Sequence, residues 1–189
     1  RYSAELGGRA DFLAADPQRL EFEKKIDRCG VDLQVWVYFH ILDDPSLTLH
    51  AWGVSNKAIP AWQRITVRVL YPIMAMMIRK SFRITEKHQA RAVEHVDMLL
   101  AEVEALLSDD RKSILGGDQI NYTDIAFASI LGLWLQPAGY GGGMADKVRI
   151  EANQMPKQMT AEIEHWSNTY PKATQFIETL FSEHRRPAQ

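Results

Sequence analysis

Apolar residues recur at spacings of three and four along every long segment of this chain, and this periodicity limits the fold more than any other feature. Such a spacing places apolar side chains on one face of an α-helix. No segment shows the alternation of apolar and polar residues, bounded by turn residues, that is typical of a β-strand. We therefore predict an all-α fold in which the helices form a bundle.

Capping residues and prolines locate the helices. The pair Asp16-Pro17 predicts a helix over 17–42, because aspartate caps well and proline suits the first helical position. The apolar segment 60–78 contains Pro72, which should kink or interrupt a helix there. A third long helix is expected over 85–107, after a threonine cap. Shorter helices are expected at 47–52, from Tyr122 after the Asn121 cap to 135, at 159–170 and from 171 onward.

Three smaller patterns accompany these helices. Met74, Met76 and Met77 lie at helical spacing, and we interpret them as core-filling side chains rather than as a ligand surface. The charged residues of the 85–107 helix indicate a solvated face. The glycine-rich stretch 139–143 indicates a flexible loop, because no lysine and hydroxyl residue follow it as they do in a phosphate-binding loop.

Composition narrows the possible functions. The chain is 46% apolar and 24% charged, so it is expected to fold. Its net charge is -2 and its basic residues are scattered, which argues against a nucleic-acid partner. Cys29 is the single cysteine, and no apolar run is long enough to span a bilayer, so we expect a cytoplasmic protein with no membrane partner. The six histidines show no metal-binding spacing, so no metal is expected.

The segment from Ile114 to Ile125 is the most specific stretch of the sequence. Asn121 is a good N-cap, and Asp124 can reach back to the amide of the cap, so the two form a capping box. Ile120 before the cap and Ile125 after it are placed as a hydrophobic staple. The residues that follow are apolar on every side, as expected for a helix inside a bundle. We assign these four residues to folding, and expect alanine at either capping position to cost about 0.5 to 2 kcal/mol.

This turn resembles the start of the buried helix in the C-terminal domain of glutathione transferases, where a Leu-x-Gly-Asp turn precedes Ser/Thr-x-Ala-Asp-Ile. The residues that fall on the pattern are Leu115, Gly117, Asp118, Asn121, Asp124 and Ile125. Asn121 stands where the family has a hydroxyl and Thr123 where it has alanine. The helix order along most of the chain is also similar, although the stretch 46–82 is longer than in the common classes and resembles a bacterial subgroup.

The resemblance implies a division of the chain. Residues 1–16 would be the remnant of an inter-domain helix and linker, 17–184 the helical domain and 185–189 a tail. In the family, a thioredoxin-like domain precedes the helical domain, binds the co-substrate glutathione and activates its thiol. None of those motifs is visible in this sequence, so the chain alone is expected to be inactive. The resemblance further implies a homodimer and a hydrophobic small-molecule substrate.

Substrate-binding residues follow only from this likeness. The C-terminal part of the first long helix and the start of the buried helix face the catalytic cleft in the family. These positions correspond to Trp36, Phe39, His40 and Tyr122, with no catalytic residue among them. If residues 31–42 border an open cleft, aromatic surface should be exposed there, and the isolated chain should bind hydrophobic probes or self-associate.

Two other functions compete with a transferase half. One is a non-catalytic member of the same family that serves as an interaction module, which the sequence separates poorly from an enzyme. The other is the ligand-binding half of a helical transcriptional repressor, which would also be an apolar bundle. The turn before the buried helix argues against the repressor.

Overall fold

The computed structural model describes residues 16–109, 111–138, 140 and 148–183. Seven α-helices and no strands are found in these ranges, which confirms the predicted all-α fold. The helices are α1 (Pro17–Ile41), α2 (Pro45–Ala51), α3 (Ala61–Ser81), α4 (Glu86–Leu106), α5 (Tyr122–Leu135), α6 (Lys157–Thr169) and α7 (Pro171–Glu183). Short 3-10 turns lie at Leu107–Asp109 and Ala152–Gln154. The N-terminal remnant before Asp16, most of the glycine-rich loop and the tail 185–189 lie outside the described residues, and the domain division stays a prediction.

N-cap side chains begin helices α1 and α4 at the positions that the sequence predicts. The Asp16 carboxylate accepts a hydrogen bond from the Gln18 amide, and the Thr85 hydroxyl accepts one from the His88 amide. Pro72 lies inside α3, which continues as one helix from Ala61 to Ser81 rather than stopping at the proline. The expected helix boundaries are therefore reproduced closely, with one uninterrupted helix at α3.

Helix α1 is the central helix of the bundle, because it packs against both α4 and α5. It runs antiparallel to α4, as shown by the contacts Lys25 to Glu102 near one end and Asp32 to His95 further along. Glycine permits close packing between α1 and α5, because a Cβ at Gly30 would lie 3.3 Å from the Ile130 side chain. The Thr123 hydroxyl at the start of α5 donates to Glu23 Oε1 near the start of α1 over 3.1 Å. Since Gly30 and Ile130 meet further along both helices, α1 and α5 run parallel.

Helix α7 closes the bundle against α4, α5 and α6. The Glu104 carboxylate of α4 accepts hydrogen bonds from the backbone amides of Lys172 and Ala173 at the start of α7. The expectation that the charged face of α4 is only solvated is therefore wrong for Glu104, which caps another helix. The fully buried large side chains that fill the interior include Trp36, Trp134, Trp166, Phe127, Leu33, Leu100 and Ile177.

Helix α3 differs from the rest. Tyr71 is its single buried residue, and α3 packs closely against none of the other described helices. Met76 and Met77 are 63% and 60% exposed, so the interpretation of these two methionines as core filler is wrong. The core is formed by the other long helices, and α3 stands outside it.

Candidate functional site

Two of the predicted substrate-binding residues, Trp36 and His40, bind a carboxylate from α6. The Trp36 indole donates a hydrogen bond to Glu162 Oε2, and His40 Nε2 lies 2.8 Å from the same oxygen. Gln89 of α4 and Gln158 of α6 donate to Glu162 Oε1 over 2.9 Å and 3.0 Å. We call these five residues the Glu162 cluster, and it joins α1, α4 and α6.

The hydrogen bonds of the Glu162 cluster favour the ionised carboxylate. Partial burial of Glu162 removes it from water and by itself raises its pKa. The hydrogen bonds from His40, Trp36 and Gln158 outweigh that effect, so the pKa of Glu162 lies below its usual range. A partly buried carboxylate with its oxygens satisfied in this way stabilises the packing of three helices.

This geometry corrects the prediction for Trp36. Its side chain is 0% exposed, with ring centroids 5.1 Å from Trp166 and 5.5 Å from His40, so it lies in the core rather than at an open pocket. The His40 side chain is 3% exposed and also lies in the interior. No aromatic residue of 31–42 is largely exposed: Tyr38 and Phe39 are half-buried and Trp36 is buried, so the expected open aromatic surface is reduced to two half-buried rings.

Phe39 and Tyr122 remain at least partly accessible. Phe39 is half-buried, and its ring lies edge-on to His40 at 5.4 Å. Tyr122 is 45% exposed at the first position of α5. Trp36 contacts Trp166, which in turn contacts Trp134 near the other end of α5. Since a helix rises 1.5 Å per residue, Tyr122 lies about 18 Å along α5 from that tryptophan group. The four predicted residues therefore do not form one site.

The turn before α5 contains the capping box that the sequence predicts. Asn121 Oδ1 accepts hydrogen bonds from the Thr123 and Asp124 amides, and Asp124 Oδ2 accepts one from the Asn121 amide over 2.8 Å. Two further bonds extend beyond the box: Asp124 Oδ1 accepts from the Ile114 amide, and Asn121 Nδ2 donates to the Ser113 hydroxyl. Burial, only partly offset by the Asn121 and Ile114 amides, raises the pKa of Asp124. The box therefore fixes the preceding loop as well as the helix.

A surface cleft of about 940 Å³ lies beside this turn, between the start of α5 and α7. The two isoleucines of the predicted staple, Ile120 and Ile125, line it. Its other apolar lining residues are Leu107, Phe176 and Leu180, and its basic ones are Arg111, Lys112 and Lys172. Asp118 and Glu183 also line it, so the cleft combines an apolar wall with charged groups of both signs.

One face of α5 is open although the helix is apolar all round. We define the α5 face as Tyr122, Ile125, Ala126, Ser129 and Leu133, which follow one another at spacings of one, three and four. Tyr122 and Ile125 are 45% and 42% exposed, Ser129 is exposed, and the other two are half-buried. A helix with apolar residues on every side normally has every side covered. Among the described residues, nothing covers the α5 face as its composition suggests.

The described part of the chain shows little reactive chemistry of its own. Burial, with a smaller contribution from nearby Asp32, raises the pKa of the Cys29 thiol to about 12, so it remains protonated. No group of three or more metal-ligating side chains occurs among the described residues. No helix in those residues is long and apolar enough to cross a membrane.

A comparison with protein families decides the assignment. Residues 86–178 match the family model for the glutathione S-transferase C-terminal domain, from the start of α4 to within α7. This match, over just under half of the chain, supports a glutathione S-transferase C-terminal-like domain. The capping box and α5 lie inside the matched range, so the resemblance seen in the sequence is confirmed. Curated proteins and solved structures gave no match.

Sequence reasoning missed Glu162 and Gln89, the polar centre of this transferase-like domain. Gln89 is 6% exposed and lies among the buried apolar residues of α4. A polar residue at such a position in the sequence indicates a buried hydrogen-bond partner. Glu162 has no such signal, because the groups that it binds lie on α1 and α4, more than 70 residues away in sequence. Only the tertiary packing shows why that carboxylate is there.

Proposed function

We propose that this chain is the helical half of a glutathione transferase, in which it supplies an apolar wall that receives a hydrophobic electrophile. The observation that supports the proposal is the α5 face. A helix with the composition of an interior helix exposes Tyr122 and Ile125 beside a cleft of about 940 Å³. Such a surface suits an apolar ligand or an adjoining domain.

The chemistry that this half contributes is binding and orientation. Holding an electrophile close to a reactive thiol makes their encounter effectively intramolecular. The thiol of this chain, Cys29, is buried and protonated. In the proposal, glutathione and the activation of its thiol belong to a thioredoxin-like domain of the parent protein, which borders the α5 face. The proposal also includes the homodimer that the family resemblance implies, and the cytoplasmic location expected from the single cysteine and the lack of a long apolar run.

Binding of S-hexylglutathione tests this proposal, because the ligand joins an apolar chain to glutathione. Equilibrium dialysis should show weak binding to the purified chain. The double variant Tyr122→Ser with Ile125→Ser should weaken it about tenfold or more, since burying such side chains contributes about 1.5 to 3 kcal/mol each and 1.4 kcal/mol is a factor of ten. Glutathione without the hexyl group should not bind measurably.

The matched control is Met98→Ser, because Met98 is a 56% exposed apolar residue on α4. This variant should bind S-hexylglutathione as the unmodified chain does. Equal affinity of the Tyr122 and Ile125 double variant would remove the α5 face from the proposal. Conjugation of an aromatic halide by this chain above a no-protein control would contradict the assignment of thiol activation to another domain.

A non-catalytic interaction module is the second candidate. It is favoured by α3, which exposes large apolar side chains and contributes only Tyr71 to the interior. An interaction module would not need to recognise an apolar glutathione derivative. A chain without S-hexylglutathione binding, but with a partner bound through α3, would therefore favour this second function.

A further inference from the structure

Helix α3 carries a continuous apolar face that points away from the protein. The exposed large side chains are Trp62, Ile65, Val69, Leu70, Ile73, Met76 and Met77, between 43% and 70% exposed, and we call them the α3 face. They recur at helical spacings of three and four, so they share one side of the helix. The half-buried residues Val67, Met74 and Ile78 lie on the opposite side.

Tyr71 and Arg79 attach the inner side of α3 to the rest of the protein. The Tyr71 hydroxyl donates to the Leu42 carbonyl over 2.7 Å, and its ring centroid lies 5.6 Å from that of Trp52. Arg79 forms an ion pair with Asp43. These contacts hold the inner side and leave the α3 face turned outward.

The α3 face is larger than the apolar patches that soluble monomers usually expose. At a rise of 1.5 Å per residue it extends about 22 Å from Trp62 to Met77. Seven large side chains that are each about half exposed present on the order of 700 Å². The largest patch of a typical monomer is about 300 to 600 Å², and patches of this size are often functional.

The charged residues of the segment that contains α3 have a single sign, although Arg79 is paired with Asp43 just outside that segment. Residues 45–85 contain none of the 24 acidic residues of the chain and six of its 22 lysines and arginines. Four of these six, Arg64, Arg68, Arg79 and Lys80, lie in α3 itself, and Arg68 and Lys80 are exposed. The chain as a whole has a net charge of -2, so the positive charge of this segment is a local property.

The positive charge of the segment that contains α3 favours an anionic partner over a second copy of α3. Two α3 helices packed face to face would bring two cationic segments together with no carboxylate in either, which is unfavourable. An anionic surface would be attracted instead. A single outward helix with apolar residues in the middle and cations nearby is the arrangement that lies flat in the headgroup region of a bilayer.

We propose that α3 binds the surface of an anionic lipid bilayer. The α3 face enters the boundary between headgroups and acyl chains, with Trp62 at one end, and Arg68 and Lys80 contact lipid phosphates or carboxylates. This binding is peripheral and needs no membrane-spanning helix. It revises the sequence-based expectation of no membrane partner, and it uses a surface separate from the α5 face, so it can fail without affecting the proposed function.

Vesicle flotation tests the proposal with two kinds of α3 variant. The purified chain should float with vesicles of equal parts phosphatidylcholine and phosphatidylserine, and much less with phosphatidylcholine alone. Arg68→Gln with Lys80→Gln should reduce the partition coefficient about fivefold for each cation removed, which corresponds to about 1 kcal/mol each. Trp62→Gln with Met76→Gln should reduce it at least as much, because it removes apolar area that enters the bilayer.

Control variants distinguish binding through α3 from nonspecific adsorption to vesicles. Met98→Gln and Lys24→Gln remove an exposed methionine and an exposed lysine on other helices, and both should leave flotation unchanged. Helix content should be unchanged in all variants, since the substituted side chains are exposed. High salt should weaken flotation of the unmodified chain.

Several results would overturn the proposal. One is no flotation with the phosphatidylserine vesicles, and another is flotation that the two double variants leave unchanged. Equal binding to phosphatidylcholine alone would remove the role of charge. A dimer that becomes a monomer on Trp62→Gln with Met76→Gln would assign the α3 face to a second copy, and stronger binding to polyglutamate than to vesicles would assign it to an acidic protein.

Discussion

Helices α5 and α3 are both rich in apolar residues, but their surroundings are opposite. Helix α5 lies between two neighbours, with Gly30 of α1 against Ile130 on one side and Gly132 against Phe181 of α7 on the other. Helix α3 contributes only Tyr71 to the interior. The difference shows that an apolar composition allows a helix to be buried. Whether the helix is buried depends on which neighbouring helices pack against it.

The largest expected effect comes from two tryptophans that occupy these two environments. Trp36→Ala removes a fully buried ring and its hydrogen bond to Glu162, and should cost about 3 to 5 kcal/mol in the free energy of unfolding. Trp62→Ala removes a ring that is 66% exposed on α3, and should change stability by less than about 0.5 kcal/mol. Urea unfolding measures both. Similar costs for the two variants would contradict the contrast between core and α3.

The next effect concerns the turn that anchors α5. Asp124→Ala leaves the buried amides of Ile114 and Asn121 without their acceptor, so it should cost about 2 to 3 kcal/mol. This is more than the usual cost of losing an N-cap, because the carboxylate also fixes the preceding loop. The control is Asp118→Ala, an exposed aspartate of the same loop, which should change stability by less than about 0.5 kcal/mol. Equal melting temperatures for these two variants would refute the structural role of Asp124.

The smallest effect depends on pH. The pKa of Glu162 is lowered in the folded state, so its stabilisation is complete above the unfolded value and is lost as the pH falls through the folded one. Glu162→Gln should therefore cost about 1 to 2 kcal/mol at neutral pH, and the cost should shrink as the pH falls below about 4. Glu164→Gln, an exposed change on the same helix, should show no such trend. A pH-independent cost for Glu162→Gln would argue against an ionised carboxylate.

The sequence predicts those parts of this domain that depend on near neighbours. Asp16, Thr85 and Asn121 each bond to an amide two or three residues ahead, so their roles can be read from spacing alone. The family pattern at Asn121 and Asp124 depends on the same short range. For that reason the helix starts and the family were predicted correctly.

The remaining features depend on distant residues. Trp36 was placed in a cleft from family likeness, but its partners Glu162 and Trp166 become visible only when α6 packs on α1. Met76 and Met77 have a spacing typical of a core residue, and nothing nearby in sequence shows that no other helix covers them. Periodicity predicts which side of a helix is apolar and leaves open what, if anything, packs against it.

Hydrogen exchange measured by mass spectrometry tests this contrast most directly. We expect backbone amides of α5 to exchange slowly, close to the rate set by global unfolding, because α1 and α7 pack against two sides of that helix. Amides of α3 should exchange much faster in the free protein and should slow when phosphatidylserine vesicles are added. If α3 is as slow as α5 without vesicles, or if its exchange is unchanged by them, the account of α3 as an uncovered, lipid-binding helix is contradicted.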